Sequence, residues 1–215
     1  MSKRAVVLSL FFGSALLLVL ANGASAAPAM SGGKHDFTDG GTYNLTGIYI
    51  CEPCHSPHST NSVADAPLWN HTTTTHDGAY TLYSSGSLHA AVLQPGGSDV
   101  LCLSCHDGSV NWDAYGGGAG TATIAAALQA GAGGDLQQTH PISFHYDGTL
   151  VSDDGGLVTP GTDTVGTVAL PLYAIGAGTK DVMRCSTCHD PHGNAALTSL
   201  LREPAATLCE QCHQK

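Results

Sequence analysis

Charge is scarce in this 215-residue chain: Asp, Glu, Lys and Arg together make up 11% of it. Basic residues are scarcest, seven against 17 acids, so there is no cationic stripe to neutralise phosphates and nucleic acid is excluded as a partner. Beyond residue 26 no apolar run is long enough to cross a bilayer, and no sustained period of 3.6 or 2 marks a long helix or strand against a core. Methionine occurs three times, and no cysteine stands outside four short motifs. A set of structural disulfides alongside those motifs is therefore excluded. With 27 glycines and few periodic Leu, Ile, Val or Phe, the chain needs something besides side chains to supply its core.

The first segment has Lys3 and Arg4, an apolar run from Ala5 to Leu20, and the small tripeptide Ala24-Ser25-Ala26. That order reads as a secretory signal peptide, residues 1–26, cut after Ala26. The apolar run is short for a membrane anchor, and no cysteine near the cut suggests a lipoprotein. Cleavage would remove two of the seven basic residues and no acid, leaving five against 17, a formal charge of −12. Such a chain repels anionic surfaces.

What the sequence does have is C-x-x-C-H, four times: Cys51–His55, Cys102–His106, Cys185–His189 and Cys209–His213. These use all eight cysteines. Zinc sites can be built from two C-x-x-C pairs, but zinc has no use for a histidine fixed after every pair. A redox dithiol fits an exported protein, yet explains neither that histidine nor four copies. Covalent c-type haem explains each part. Cys51, Cys54, Cys102, Cys105, Cys185, Cys188, Cys209 and Cys212 would form thioethers, while His55, His106, His189 and His213 would be proximal iron ligands. Attachment takes place outside the cytoplasm, where the signal would send the chain. Four haems are the expected cofactors, and their apolar plates would serve as the core.

Each iron needs a second axial ligand or an open site. Setting aside the four proximal residues, eight of 12 histidines remain. His58 and His192 each lie three residues after a proximal histidine, in "CHSPH" and "CHDPH". Positions i and i+3 project to one side, so these two should reach neighbouring haems. His140 precedes a stiffening proline and is a candidate, with His145 as its competitor. His35, in "GKHDF", is the fourth candidate. His71, His76 and His89 read as surface or propionate-contacting residues.

The expected fold is mostly coil with short α-helices and a small β-hairpin, wrapped around four stacked haems. Residues 27–215 form one domain, with an N-terminal two-haem part (27–145) and a hairpin plus a C-terminal two-haem part (146–215). Thr123 to Ala130 could form one short helix. The stretch 146–173, with its β-branched residues and Asp-Gly and Pro-Gly signals, suggests a hairpin or two short strands.

These words resemble the secreted multihaem c-type cytochromes with doubled CxxCH motifs, found among metal-reducing bacteria. The matching words are "ICEPCHSPHS" with "APLWN" and "YTLYSS", "LCLSCHDGSV" with "HPIS", and "LPLY" before "RCSTCHDPHG", "LLREP" and "LCEQCH". The resemblance runs from His35 to His213; segment 115–134, and the hairpin-like stretch 146–173 ahead of "LPLY", match no family word. It implies an extracellular or periplasmic electron carrier. Some tetrahaem and hexahaem relatives polymerise into filaments with a continuous haem stack, a histidine of one subunit ligating a haem of the next. The expectation is thus a non-enzymatic, extracellular tetrahaem cytochrome with bis-histidine irons, forming a homopolymer and exchanging electrons with other multihaem cytochromes or extracellular acceptors. His35, near the terminus, is the candidate for the donated ligand. The alternatives are a monomeric periplasmic shuttle and a reductase with one open haem. The intact mature protein should carry the mass of four haems by mass spectrometry, and alanine at both cysteines of one motif should remove one.

Overall fold

The computed structural model describes residues 30–214, apart from 39–42, 59–60, 62, 64–65, 67 and 194–196. The expected signal segment, 1–26, lies outside the described residues. Most of the described chain is turn and loop, as glycine-rich, weakly periodic sequence dictates. The helices are α1 (Ser98–His106), α2 (Gly148–Asp154), α3 (Cys185–Cys188) and α4 (Ala205–Leu208). The strands β1 (Phe144–His145), β2 (Thr164–Val165), β3 (Leu170–Pro171) and β4 (Val182–Met183) form two antiparallel pairs, β1 with β4 and β2 with β3. Among the described residues no helix is long and apolar enough to cross a membrane.

The stretch 146–173 holds a hairpin, but only over 164–171, with Val165 opposite Leu170. Its start is helical instead. Asp147 is extended and its side chain accepts from Leu150 N at 2.8 Å, satisfying one of the free N–H groups of the first turn of α2. Gly155, at φ 71°, closes that helix in a left-handed conformation. The helix expected at 123–130 shrinks to one 3₁₀ turn, Ala126–Leu128. None of its residues is buried, and so short a helix does not persist without packing.

The apolar residues build two small clusters. Phe144, Tyr146, Leu150, Val165, Leu170, Leu172 and Met183 pack together under the hairpin, with Cys212 against them. Tyr80, Leu103 and Leu136 form the other, on the inner side of α1.

A buried ion pair joins α1 to α3. Asp99, fully buried, lies three residues before Cys102, and Arg184, also buried, directly precedes Cys185. Their side chains meet at 3.4 Å. Asp99 further accepts from Cys185 N at 2.7 Å and from Ser143 Oγ at 2.5 Å. The Arg184 guanidinium donates to the Gly96 carbonyl and, at 3.1 Å, to the Ala174 carbonyl. Ser98 and Ser186 hydroxyls meet alongside at 2.8 Å. Both charges are thus extensively hydrogen-bonded, which a buried pair requires.

Asp107, just past α1, is a second buried acid. It accepts from Thr74 Oγ1, from Tyr80 OH at 2.6 Å and from Ser109 N at 2.7 Å, and meets His76 Nδ1 at 3.1 Å. Burial alone would raise its pKa, but the hydrogen bonds from Thr74, Tyr80 and Ser109 outweigh it and hold the carboxyl below its ordinary value. Gly108 follows at φ 73°, where a Cβ would lie 2.8 Å from the Gln129 amide, so the turn needs glycine in both respects.

Replacing Arg184 with Met strands a buried carboxylate and should cost about 3–5 kcal/mol in denaturant unfolding. Because the folded Asp107 carboxyl lies below its unfolded value, its contribution is present above about pH 4 and drains away as the pH falls through the folded value. The stability gap between wild type and Asp107→Asn should therefore narrow in urea titrations from pH 5 to 3.

Candidate functional site

Each C-x-x-C-H motif forms one helical turn. His55 N donates to Cys51 O at 2.8 Å, His189 N to Cys185 O at 3.0 Å and His213 N to Cys209 O at 2.9 Å. The remaining motif is the last turn of α1. Such a turn sets two thiols three residues apart on one side.

The four motifs adjoin in chain order. Burial, with Cys102 and Cys51 beside it, pushes the Cys54 thiol up to about 12. Cys105 is raised by burial and by Cys54 and Cys102. Cys185 is raised by a hydrogen bond with Cys102 and by burial. Cys188 is raised by burial and by Cys209, and Cys212 by burial and by Cys188, up to about 11. All eight thiols are free. A catalytic dithiol needs a lowered thiol pKa, and Cys54, Cys105, Cys185, Cys188 and Cys212 are displaced the other way. Zinc would need several donors converging on one point, and among the described residues no group of three or more His, Cys, Asp or Glu does so.

The imidazoles instead come together two at a time. His55 and His192 have ring centroids 6.1 Å apart, His35 and His106 6.2 Å, and His140 and His213 6.4 Å. Two metal–nitrogen bonds of roughly 2 Å, added to ring radii of about 1.1 Å, put opposed axial imidazoles about 6 Å apart. Each of the three pairs joins one proximal histidine to one distal candidate. His192 lies against the His55 of another motif, as its spacing from His189 requires. His35, the candidate for donation to a neighbouring subunit, lies against His106 of its own chain.

The second ring nitrogen matters as well. His106 Nδ1 faces the Leu128 carbonyl at 2.8 Å, His140 Nδ1 that of Pro141 at 2.8 Å, His189 Nδ1 that of Ser199 at 2.8 Å and His35 Nδ1 that of Pro191 at 3.3 Å. An Nδ1–H donated to a carbonyl fixes the tautomer and leaves the Nε2 lone pair for a metal. The glycine-rich 115–134 segment thus supplies the carbonyl that orients His106. Burial and the neighbouring His106 hold His35 below its ordinary pKa, despite the opposing Pro191 carbonyl, which favours its neutral, ligating form.

The other histidines are placed differently. His71 is buried, with Nδ1 at the Thr72 carbonyl (2.7 Å) and Nε2 at those of Asn111 and Trp112 (3.1 and 3.2 Å) and 3.5 Å from Cys105 Sγ. His76 turns Nδ1 to Asp107, and His145 turns Nδ1 to Asp181 at 2.9 Å on the exposed sheet edge. His89 is exposed. His58 and His189 are both exposed, and among the described residues neither has an opposed imidazole. Sequence reading missed Trp69. Its indole nitrogen is buried with no hydrogen-bond partner among the described residues, beside the His55 ring at 6.2 Å. The "APLWN" word contains it, but burial was the missing signal.

Paired thiols on helical turns, opposed imidazoles at axial spacing and an orphaned buried donor fit c-type haem. Residues 178–215, which contain the third and fourth motifs, match the family model of the doubled CXXCH motif. No curated protein matches the chain. The motifs indicate covalently bound c-type haem, and the paired arrangement supports a multihaem, electron-transfer c-type cytochrome.

Proposed function

We propose that the chain is a tetrahaem cytochrome that carries electrons through bis-histidine irons and assembles with copies of itself outside the cytoplasm. The three imidazole pairs at 6.1–6.4 Å carry this reading. Cys51 and Cys54, Cys102 and Cys105, Cys185 and Cys188, and Cys209 and Cys212 hold the four groups. His55 with His192, His106 with His35, and His213 with His140 would ligate three of the irons. Haem iron, when bound, supplies the redox chemistry by alternating between its ferric and ferrous forms. A second imidazole excludes small-molecule substrates and favours a lower potential than methionine would. The adjoining thiols of successive motifs support a path that runs from the first site to the fourth in chain order. A route through neighbouring copies would end at other multihaem cytochromes or extracellular acceptors.

His189 decides between assembly and its alternatives. It is exposed, its Nδ1 is held by Ser199, and no imidazole of its own chain opposes it among the described residues. His58 is the exposed candidate left over, which makes it a better donor to a second copy than His35. The same exposure favours a second reading, a reductase whose third haem stays open.

His58→Ala should keep four haems, turn one high-spin and abolish assemblies in electron microscopy and sizing. His35→Ala should also turn one haem high-spin, yet leave assembly intact. Carbon monoxide binding to one haem of the reduced, assembled wild type would overturn the donated ligand and favour the open-site reductase.

A further inference from the structure

Trp69 combines a fixed position with an unanswered donor. Its backbone is clamped to the first motif: Ser56 N donates to Leu68 O at 2.9 Å, Asn70 N to Cys54 O at 2.9 Å, and the Asn70 side chain to Glu52 O at 2.7 Å. Leu68, just before it, is held at φ 56°, a left-handed conformation that a leucine adopts only where its surroundings impose it. The indole is 7% exposed and stands edge-on to the His55 ring, with an interplanar angle of 86°. Among the described residues its Nε1–H reaches no acceptor, although buried N–H groups are almost always paired. The other adjacent ring, His71 at 6.2 Å, already has both nitrogens at backbone carbonyls.

Resting on the haem reading above, the acceptor must belong to the group that the first motif holds. The vinyl groups of a c-type haem are consumed by the thioethers and its ring nitrogens by iron. Its two propionate carboxylates are the acceptors that remain. They also need donors from a chain with few cations: among the described residues Arg184 is committed to Asp99 and two carbonyls, Arg202 pairs with Asp190 and the Ser186 carbonyl, Lys180 pairs with Asp163, and Lys34 is exposed beside His35, which lies against the second motif's His106. A buried neutral N–H is a suitable donor to a carboxylate in such surroundings.

We infer that the Trp69 indole N–H donates to a propionate of the haem attached at Cys51 and Cys54. This makes Trp69 a positioning residue that fixes the edge of that haem and tunes its potential. A carboxylate favours the ferric state, and a donated hydrogen bond offsets part of its negative charge. Loss of the donor should therefore lower the potential of one haem.

The test uses the reduced, full-length holoprotein labelled with ¹⁵N-tryptophan. Two indole signals are expected, and the one absent from Trp69→Phe should be downfield-shifted and protected from solvent exchange. In a titration followed by haem-methyl signals, Trp69→Phe should lower one potential and leave the others in place. An indole N–H that exchanges freely, as with a trapped water, would overturn the assignment even if the variant fails to fold. Unchanged potentials in a folded Trp69→Phe protein would overturn it too. Attachment at Cys51 and Cys54 is read separately, from the mass of the fragment carrying them; its absence would remove the functional reading rather than this contact alone.

Discussion

The buried pair between Asp99 and Arg184 is the constraint on which the arrangement of motifs depends. Asp99 opens the helix that ends in the second motif, and Arg184 abuts the first cysteine of the third. One carboxylate holds the backbone N–H of Cys185 and the guanidinium beside it. The Ser98–Ser186 contact and the pairing of β1 with β4 lie close to this ion pair in the chain, and the apolar clusters are small. A pair of this kind adds little net energy over an apolar contact, but it specifies one geometry and penalises any other by stranding a charge. The result is that the thiols of Cys102 and Cys185 adjoin.

From that junction the rest extends in both directions. Cys54 and Cys105 adjoin on one side, and Cys188 lies beside Cys209 and Cys212 on the other. The loops then supply what the motifs lack. They bring distant imidazoles opposite His55, His106 and His213, and they aim backbone carbonyls at Nδ1 atoms. Coil suits this work, since a carbonyl left free by regular hydrogen bonding can orient a ligand. A helix or sheet would have used it internally.

The C-x-x-C-H words were legible in the sequence because haem attachment demands a fixed local spacing, and local spacing survives in one dimension. Sequence reading also placed coil, short helices and a hairpin. It took the start of 146–173 for strand because Asp-Gly is a turn signal; in the fold Asp147 caps a helix. His35 looked like an outward arm because it is near the terminus, yet it lies against His106.

The sequence by itself determined that eight thiols and four adjacent histidines stand in four C-x-x-C-H words, that cations are few, and that beyond residue 26 no long apolar run is present to make a conventional core. Tertiary structure alone decided which distal histidine lies against which proximal one, that His71 is buried with backbone carbonyls at both nitrogens, and that, among the described residues, His189 faces outward and the Trp69 indole is unanswered. The reason is physical. Attachment depends on residues within one helical turn, whereas axial pairing and donor satisfaction depend on through-space distances of a few ångströms between segments that chain order does not rank.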